Sequence, residues 1–354
     1  MFRPDKRELD WPVGKSASMQ HGVAGRKPLE DKDEHAACET AARRPAILVA
    51  NDDGIKAPGI RALVRELLLF CDVTVCAPSG ERSAQSHAIT LGRYLSAFPS
   101  EHMLDACPGV VEAWAVDGTP ADSVMLGLHS NCLKTRNFDL MVSGINRGDN
   151  CGRHVIYSGT VAAAREASCT GLPAMAFSLD NHKARRMDDY AVAAKLCASL
   201  VKAALGLLPG QVSPPANHLS GIVLNVNVPS PASSHIKGYH LTHQSNAGIF
   251  PAFKEIQEPT GAHLAEIDEH TPDSRVFRNY AGTEHADHQK GGDDWAIRGG
   301  YVSITPLGLR SCIPSRMQTA FDDANGRVLA ATGSVITAAA ADMGLLAGGC
   351  ATRS

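Results

Sequence analysis

Two adjacent carboxylates, Asp52 and Asp53, follow the apolar run Ile47-Leu48-Val49-Ala50 and Asn51, and Gly54 comes directly after them. A short apolar run of this kind predicts a strand buried on both faces, and the periodic apolar positions after Pro58 predict a helix. In an open α/β sheet, ligands sit beyond the carboxyl ends of the strands, so both carboxylates point toward that rim. Left uncompensated, they repel each other and one tends to stay protonated; a hard divalent cation removes the conflict. An Asx turn with a capped helix is the competing structural reading. A second candidate is Ser158-Gly159-Thr160, ahead of the Ala-rich stretch 161–167. The first N–H groups of such a helix are unpaired and lie at the positive end of its dipole, which suits a phosphate; an ordinary Ser or Thr cap is the alternative.

The elements that must position these residues follow from periodicity. Ile60, Leu63, Val64, Leu67 and Leu68 fall on one helical face. Strands are predicted over 73–77, 112–116, 138–143, 174–179, 222–228 and 301–306, and a long helix over 190–208. Ser83 lies in the polar loop 78–90 after the second strand, and by itself reads as a solvated serine. Thr119-Pro120-Ala121-Asp122 has the spacing of a capping box, with Asp in place of Glu. The loop from Gly144 to Asn150, containing Asn146, ends the fourth strand. Asn225 and Asn227 alternate with Val226 and Val228, which predicts a polar side to that strand. Residues 1–44 lack an apolar period and read as a disordered extension. The Rossmann-like core is expected over 45–230. Few periodic runs mark 231–300, with one strand near 238–242, and an Ala-rich helix is expected in the tail 311–354. His285, Asp287 and His288 read as a solvated loop and receive no role. The fold class is therefore α/β, a doubly wound, mostly parallel sheet.

Taken together, these segments resemble the SurE-type nucleotidases. The resemblance is carried by Asn51-Asp52-Asp53-Gly54 with Ala57-Pro58-Gly59, Ala77-Pro78 through Arg82-Ser83, and Val116-Asp117-Gly118-Thr119-Pro120-Ala121-Asp122. It continues through Val142-Ser143-Gly144-Ile145-Asn146, Val155-Ile156-Tyr157-Ser158-Gly159-Thr160, Asn225-Val226-Asn227-Val228-Pro229 and Gly300-Tyr301-Val302-Ser303. It implies a divalent-metal-dependent phosphohydrolase acting on nucleoside 5'-monophosphates, with 3'-monophosphates and short polyphosphate as further substrates. It also implies an accessory hairpin and loop region over 231–310 and a homodimer or homotetramer whose subunits exchange C-terminal elements. The implied metal ligands are Asp52, Asp53, Ser83 and Asn146, holding one Mg²⁺ or Mn²⁺ per subunit. Ser158, Gly159 and Thr160 would then hold phosphate oxygens, Asn51 would orient the carboxylates or the phosphate, and Asp52 is the candidate base. All four ligands offer oxygen, which suits a hard cation rather than a zinc cage.

Some positions depart from that pattern. Arg153 and His154 stand where bacterial relatives carry acidic residues, and Asn150-Cys151-Gly152 followed by His154 is closer to the plant-type branch. His154 is thereby a candidate acid, against the plainer reading of a surface histidine. Asp293-Asp294 stands where relatives show Thr-Asp. A nucleotide-binding module without catalysis, or a metal-dependent transferase on a similar sheet, would use the same rim.

Composition narrows the classes. With 354 residues, 44% hydrophobic, and a formal net charge of -3, the chain has no basic excess that would argue for a nucleic-acid polymer. Ten scattered cysteines without a Cys-x-x-Cys pair read as reduced thiols. No apolar run reaches the ~18 residues of a membrane span, and a cytoplasmic location is expected. No Gly-x-Gly-x-x-Gly follows the first strand, which argues against a dinucleotide dehydrogenase.

Overall fold

The first strand, β1 (Ala46–Ala50), is buried at every position because both of its faces are covered. Ile47 and Val49 pack into one apolar cluster while Leu48 and Ala50 pack into another on the opposite side. The same two-sided burial holds for β2 (Asp72–Pro78) after its first residue and throughout β6 (Ala174–Leu179), which explains their largely apolar sequences. The computed structural model describes residues 43–130, 133, 136–211, 214–230, 236–256, 275–309 and 318–348.

The elements run in the order β1, α1 (Pro58–Leu67), β2, β3 (Ala97–Pro99), α2 (Glu101–Ala106), β4 (Glu112–Val116), α3 (Pro120–His129), β5 (Leu140–Arg147), α4 (His154–Tyr157), α5 (Gly159–Cys169) and β6. They continue with α6 (Ala191–Ala204), β7 (Ile222–Val228), β8 (Gly238–Leu241), β9 (Gly248–Ile256), β10 (Val276–His285), α7 (Asp293–Arg298), β11 (Tyr301–Gly308), α8 (Gln318–Met343) and β12 (Leu346–Gly348). The main sheet has ten strands in the order β12-β8-β11-β7-β6-β5-β1-β2-β4-β3. Its centre, from β7 to β4, is parallel; β11 runs antiparallel to β7, and β3 antiparallel to β4. Helices α1, α6 and α8 contribute to the cluster on one face and α3 and α5 to that on the other. This is the doubly wound α/β architecture expected from the sequence.

Three features lay beyond periodicity. The short pair β3 and α2 fills the gap between loop 78–90 and β4. Strands β9 and β10 form a separate two-stranded antiparallel ribbon, with Ile249, Phe250, Phe253, Phe277 and Tyr280 exposed on it. Asn225 and Asn227, expected on a polar side, are 0% exposed. Their side chains face a loop rather than water: the Asn225 Nδ2 donates to the Asn150 carbonyl at 2.8 Å and the Asn227 Oδ1 accepts the Asn150 N–H at 2.7 Å. Of the expected extension 1–44, residues 1–42 lie outside the described residues. Arg43 donates to Asp139 at 2.7 Å, and Arg44 reaches Asp72 and the carbonyls of Leu68 and Cys71. Part of the tail segment 311–354 also lies outside them. Its helix α8 begins before Gly333 and packs Val335, Ile336 and Ala339 into the core, where Ser199 on α6 donates to Asp342 at 2.8 Å. Among the described residues, no helix is long and apolar enough to cross a membrane.

Because β1 is covered on both faces, Leu48→Ala should cost about 2–5 kcal/mol of unfolding free energy, whereas Leu91→Ala, at a site 82% exposed, should stay within about 0.5 kcal/mol. Urea denaturation of both variants measures the difference, and equal losses would contradict the two-sided burial.

Candidate active site at the carboxyl end of the sheet

Strand β1 ends in a turn that the Asn51 side chain closes, its Nδ2 donating to the Gly54 carbonyl at 2.9 Å. Gly54 has φ +93°, and a Cβ there would lie 2.9 Å from the Gly80 backbone, so the turn is pressed against the loop after β2. Two backbone bonds lace them together: Ile55 N–H to the Pro78 carbonyl at 2.8 Å and Arg82 N–H to the Asp52 carbonyl at 2.7 Å. That loop holds Ala84 and Ser86 at positive φ, 58° and 53°, strain that non-glycine residues seldom carry. It is pinned at its far end by the capping box of α3. Asp122 there also accepts the Thr90 N–H and hydroxyl, and the Thr119 hydroxyl donates to the Ala88 carbonyl.

Asp52 is 3% exposed and lies beneath the first turn of α5. The Thr160 hydroxyl donates to its Oδ1 at 2.5 Å, and a Cβ on Gly159 would come within 2.8 Å of the Asp52 Cβ. Only a glycine permits this approach. Burial, reinforced by the charge of Asp53, pushes the Asp52 carboxyl up to about 6, against the hydrogen bonds from Thr160. Burial likewise raises Asp53, whose Oδ2 accepts the Arg147 N–H at 3.0 Å.

The expected site residues therefore gather on one rim, with different intimacy. Asp52, Gly159 and Thr160 are in contact. Asp53 meets the backbone at the end of β5, where a register shift between Ser143 and Asn146 re-aims the strand. Asn146 sits there with its Nδ2 committed to the Gly148 carbonyl at 2.9 Å, which leaves its Oδ1 as the remaining acceptor. Ser83 is exposed and stands furthest out. Its hydroxyl donates to Glu81 Oε1 at 3.1 Å, the oxygen that also takes the Arg147 guanidinium at 3.0 Å. Ser158 caps α5, accepting the Val161 N–H at 3.1 Å. Thr160, expected to face a phosphate oxygen, donates its hydroxyl to Asp52, and both side chains are buried. Asn51 makes the turn, and its buried Oδ1 has no hydrogen-bond partner among the described residues.

Glu81 and Arg147 were not singled out from sequence, although they connect Ser83 to Asp53. The only sequence signal was their position beside the expected ligands. Two further carboxylates hold the adjoining loop. The 0%-exposed Asp293 accepts the N–H groups of Gly152, Ser245 and Asp294, so the departure at 293–294 is a fastener between α7 and the loop before α4. Asp149 pairs with His154, Nδ1 to Oδ1 at 3.1 Å.

The residues present fit a hard cation. Their donors are oxygens, both carboxylates are short of compensating charge, and the orphaned Asn51 Oδ1 is the kind of buried acceptor that an ion or ordered water satisfies. No three His, Cys, Asp or Glu side chains among the described residues group as a metal cage, and Asn146 and Ser83 are the further oxygen donors beside the two carboxylates.

A carboxyl whose proton is held more tightly in the fold than in the unfolded chain stabilises the fold at low pH and ceases to do so as pH rises. With Asp52 raised from 3.8 to about 6, the chelated protein should lose stability between about pH 4 and pH 6, on the order of 3 kcal/mol from this group. Thermal melts of wild type and Asp52→Asn across that range isolate the contribution; parallel curves would show that Asp52 is not perturbed.

The chain has relatives among known proteins. The Survival protein SurE family profile matches residues 47–249. The chain is 38% identical over 264 residues to "5'-nucleotidase SurE" of Cytophaga hutchinsonii, covering 74% of this chain and 90% of that protein. It is 39% identical over 265 residues to "5'-nucleotidase SurE 1" of Thermus thermophilus, covering 74% and 91%. In three dimensions it is similar to the crystal structure of the SurE protein from Aquifex aeolicus, with a TM-score of 0.59 and 30% identity over 79% of this chain and all of that one. Sequence profile, curated relatives and fold agree, and the chain belongs to the Survival protein SurE family.

Proposed function

We propose that this chain is a nucleotidase that removes phosphate from nucleoside 5'-monophosphates with the help of a divalent cation, Mg²⁺ or Mn²⁺. The nucleotidase names of its relatives support the reaction class. The observation that carries the cation dependence is the burial of Asp52 beside Asp53 with too little positive charge around them. Asp52, Asp53, Asn146 and Ser83 would hold the ion; Ser83 reaches it once its hydroxyl leaves Glu81. When bound, such an ion polarises a phosphoryl group and makes a bound water a better nucleophile.

The chain's own residues then do the rest. Thr160 keeps Asp52 oriented, so the carboxylate does not rotate away from the site. The amide groups opening α5 present positive potential to the transferring group, next to the Gly159 surface. Asp52, held in place by Thr160, is the candidate base for the attacking water. Arg147 bridges Glu81 and Asp53 and balances the acidic rim. 3'-Monophosphates and short polyphosphate are further substrates under this reading. The exposed Phe253, Phe277 and Tyr280 of the ribbon support assembly into a homodimer or homotetramer. Free thiols at Cys71, Cys76, Cys107, Cys151 and Cys197 support a cytoplasmic location.

Phosphate release from AMP or GMP with added Mn²⁺ or Mg²⁺ tests the reading directly. Asp52→Asn and Asp53→Asn should fold, lose turnover by about 10²-fold or more, and lose the rise in melting temperature that Mn²⁺ gives the wild type. Full activity of both variants at limiting metal would refute the site. Binding of AMP with no phosphate release by wild type would instead identify a binding module.

Thr160→Val tests the orienting bond separately. Its loss should lower kcat by about tenfold or more, since a hydrogen bond to a charged group is worth about 1.5–3 kcal/mol. Unchanged kinetics would show that Asp52 needs no such support.

A further inference from the structure

His154 occupies the first position of α4, between the loop carrying Asn146 and the turn carrying Ser158. Both of its ring nitrogens are engaged, with different elements. Nδ1 faces Asp149 Oδ1 at 3.1 Å, while Nε2 accepts the N–H of Ile249 at 3.2 Å. An amide N–H can only donate, so Nε2 must carry a lone pair and the proton must sit on Nδ1, toward Asp149. In that tautomer the ring has no proton to deliver to a leaving group. Neither the candidate acid nor the plain surface histidine describes this ring, which ties two elements together.

Ile249 opens the ribbon β9–β10. The ribbon's base is also docked by the Arg153 N–H on the Ala247 carbonyl at 2.8 Å and by Gln244 Nε2 on the Gly152 carbonyl at 2.7 Å. Of these three ties, only the one through His154 depends on a protonation state. Beneath it lies a cavity of about 270 Å³, walled by Asp149, His154, Asp180, His182, Ile249 and Arg298 among others. The cavity adjoins the catalytic rim. Gly148, whose carbonyl holds Asn146, has no room for a Cβ because His182 stands 2.3 Å from where one would be. A phosphate ester bound at this rim, beside the start of α5, therefore has this cavity next to it to receive the nucleoside. The Asp180 carboxylate has no hydrogen-bond donor among the described residues and is available to sugar hydroxyls or base N–H groups.

We propose that His154 is a positioning residue for nucleotide binding: its neutral imidazole clamps the base of the β9–β10 ribbon onto α4 and so sets the wall of the nucleoside cavity. This rests on the nucleotidase reading above. Protonation of Nε2 turns the acceptor into a donor facing another donor, which opens the clamp while the Asp149 contact persists. The charged and titratable groups around the ring are Asp149 on its own loop, Asp180 and His182 after β6, Glu284 and His285 on β10, and Asp293, Asp294 and Arg298 on α7.

The test separates clamp from acid. His154→Ala should raise KM for AMP by about tenfold, the value of one lost hydrogen bond, with kcat nearly unchanged. KM for p-nitrophenyl phosphate, which has no nucleoside, should not move. His154→Gln places an amide oxygen near the Nε2 position without titrating, so it should restore KM and abolish the rise in wild-type KM toward acid pH. Amide hydrogen exchange at Ile249 reads the clamp without any turnover: protection should fall in His154→Ala and, for wild type, at acid pH, and persist in His154→Gln. A fall in kcat for AMP that Gln fails to restore would establish an acid instead. Unchanged Ile249 protection in His154→Ala would overturn the clamp. No phosphate release from any nucleotide by wild type would strike at the nucleotidase reading while the exchange data still decide the clamp.

Discussion

The site is governed by the cost of placing two adjacent carboxylates at the end of a strand that is buried on both faces. Asp52 is almost fully enclosed, and each nearby device reduces its cost without eliminating it. Thr160 donates a short hydrogen bond, and Gly159 lets the start of α5 approach within van der Waals distance. A hydrogen bond to a charged group contributes about 1.5–3 kcal/mol, less than the several kcal/mol that burying an unpaired carboxylate costs. The carboxyl consequently stays near 6 rather than near 4. The remaining imbalance leaves an incompletely compensated carboxyl at the centre of the rim.

That imbalance requires rigid surroundings, because charged groups that can swing apart do so. The loops of the rim are accordingly held by buried polar groups rather than by apolar packing. Asp122 caps α3 and at the same time holds Thr90; Asn225 and Asn227 grip the backbone of Asn150; Asp293 collects three N–H groups. Buried hydrogen bonds of this kind specify one geometry, since a shift of any loop strands a buried donor or acceptor. The ribbon, by contrast, rests on a few contacts at its base, one of them through an imidazole. It stands beside the cavity next to the rim, with Glu284 and Ile249 among the cavity's walls.

The sequence by itself determined the sheet and the carboxylate turn. Parallel strands buried on both faces are largely apolar and ligands gather beyond their carboxyl ends, so the apolar run 47–50 and the residues after it disclose strand, rim and carboxylates through local pattern alone. The capping box at Thr119–Asp122 was equally local and is present as read. Only the tertiary structure decided how the polar groups pair. Asn225 and Asn227 read as a polar side, yet a loop from 75 residues away in the chain covers them. Thr160 read as a phosphate contact, but its hydroxyl meets Asp52, 108 positions earlier. His154 read as a surface histidine or a candidate acid, and only its contact with Ile249, 95 residues on, ties it to the ribbon. Periodicity reports which face of an element is buried; it carries no information on which distant donor meets which acceptor, and that pairing sets the chemistry of this site.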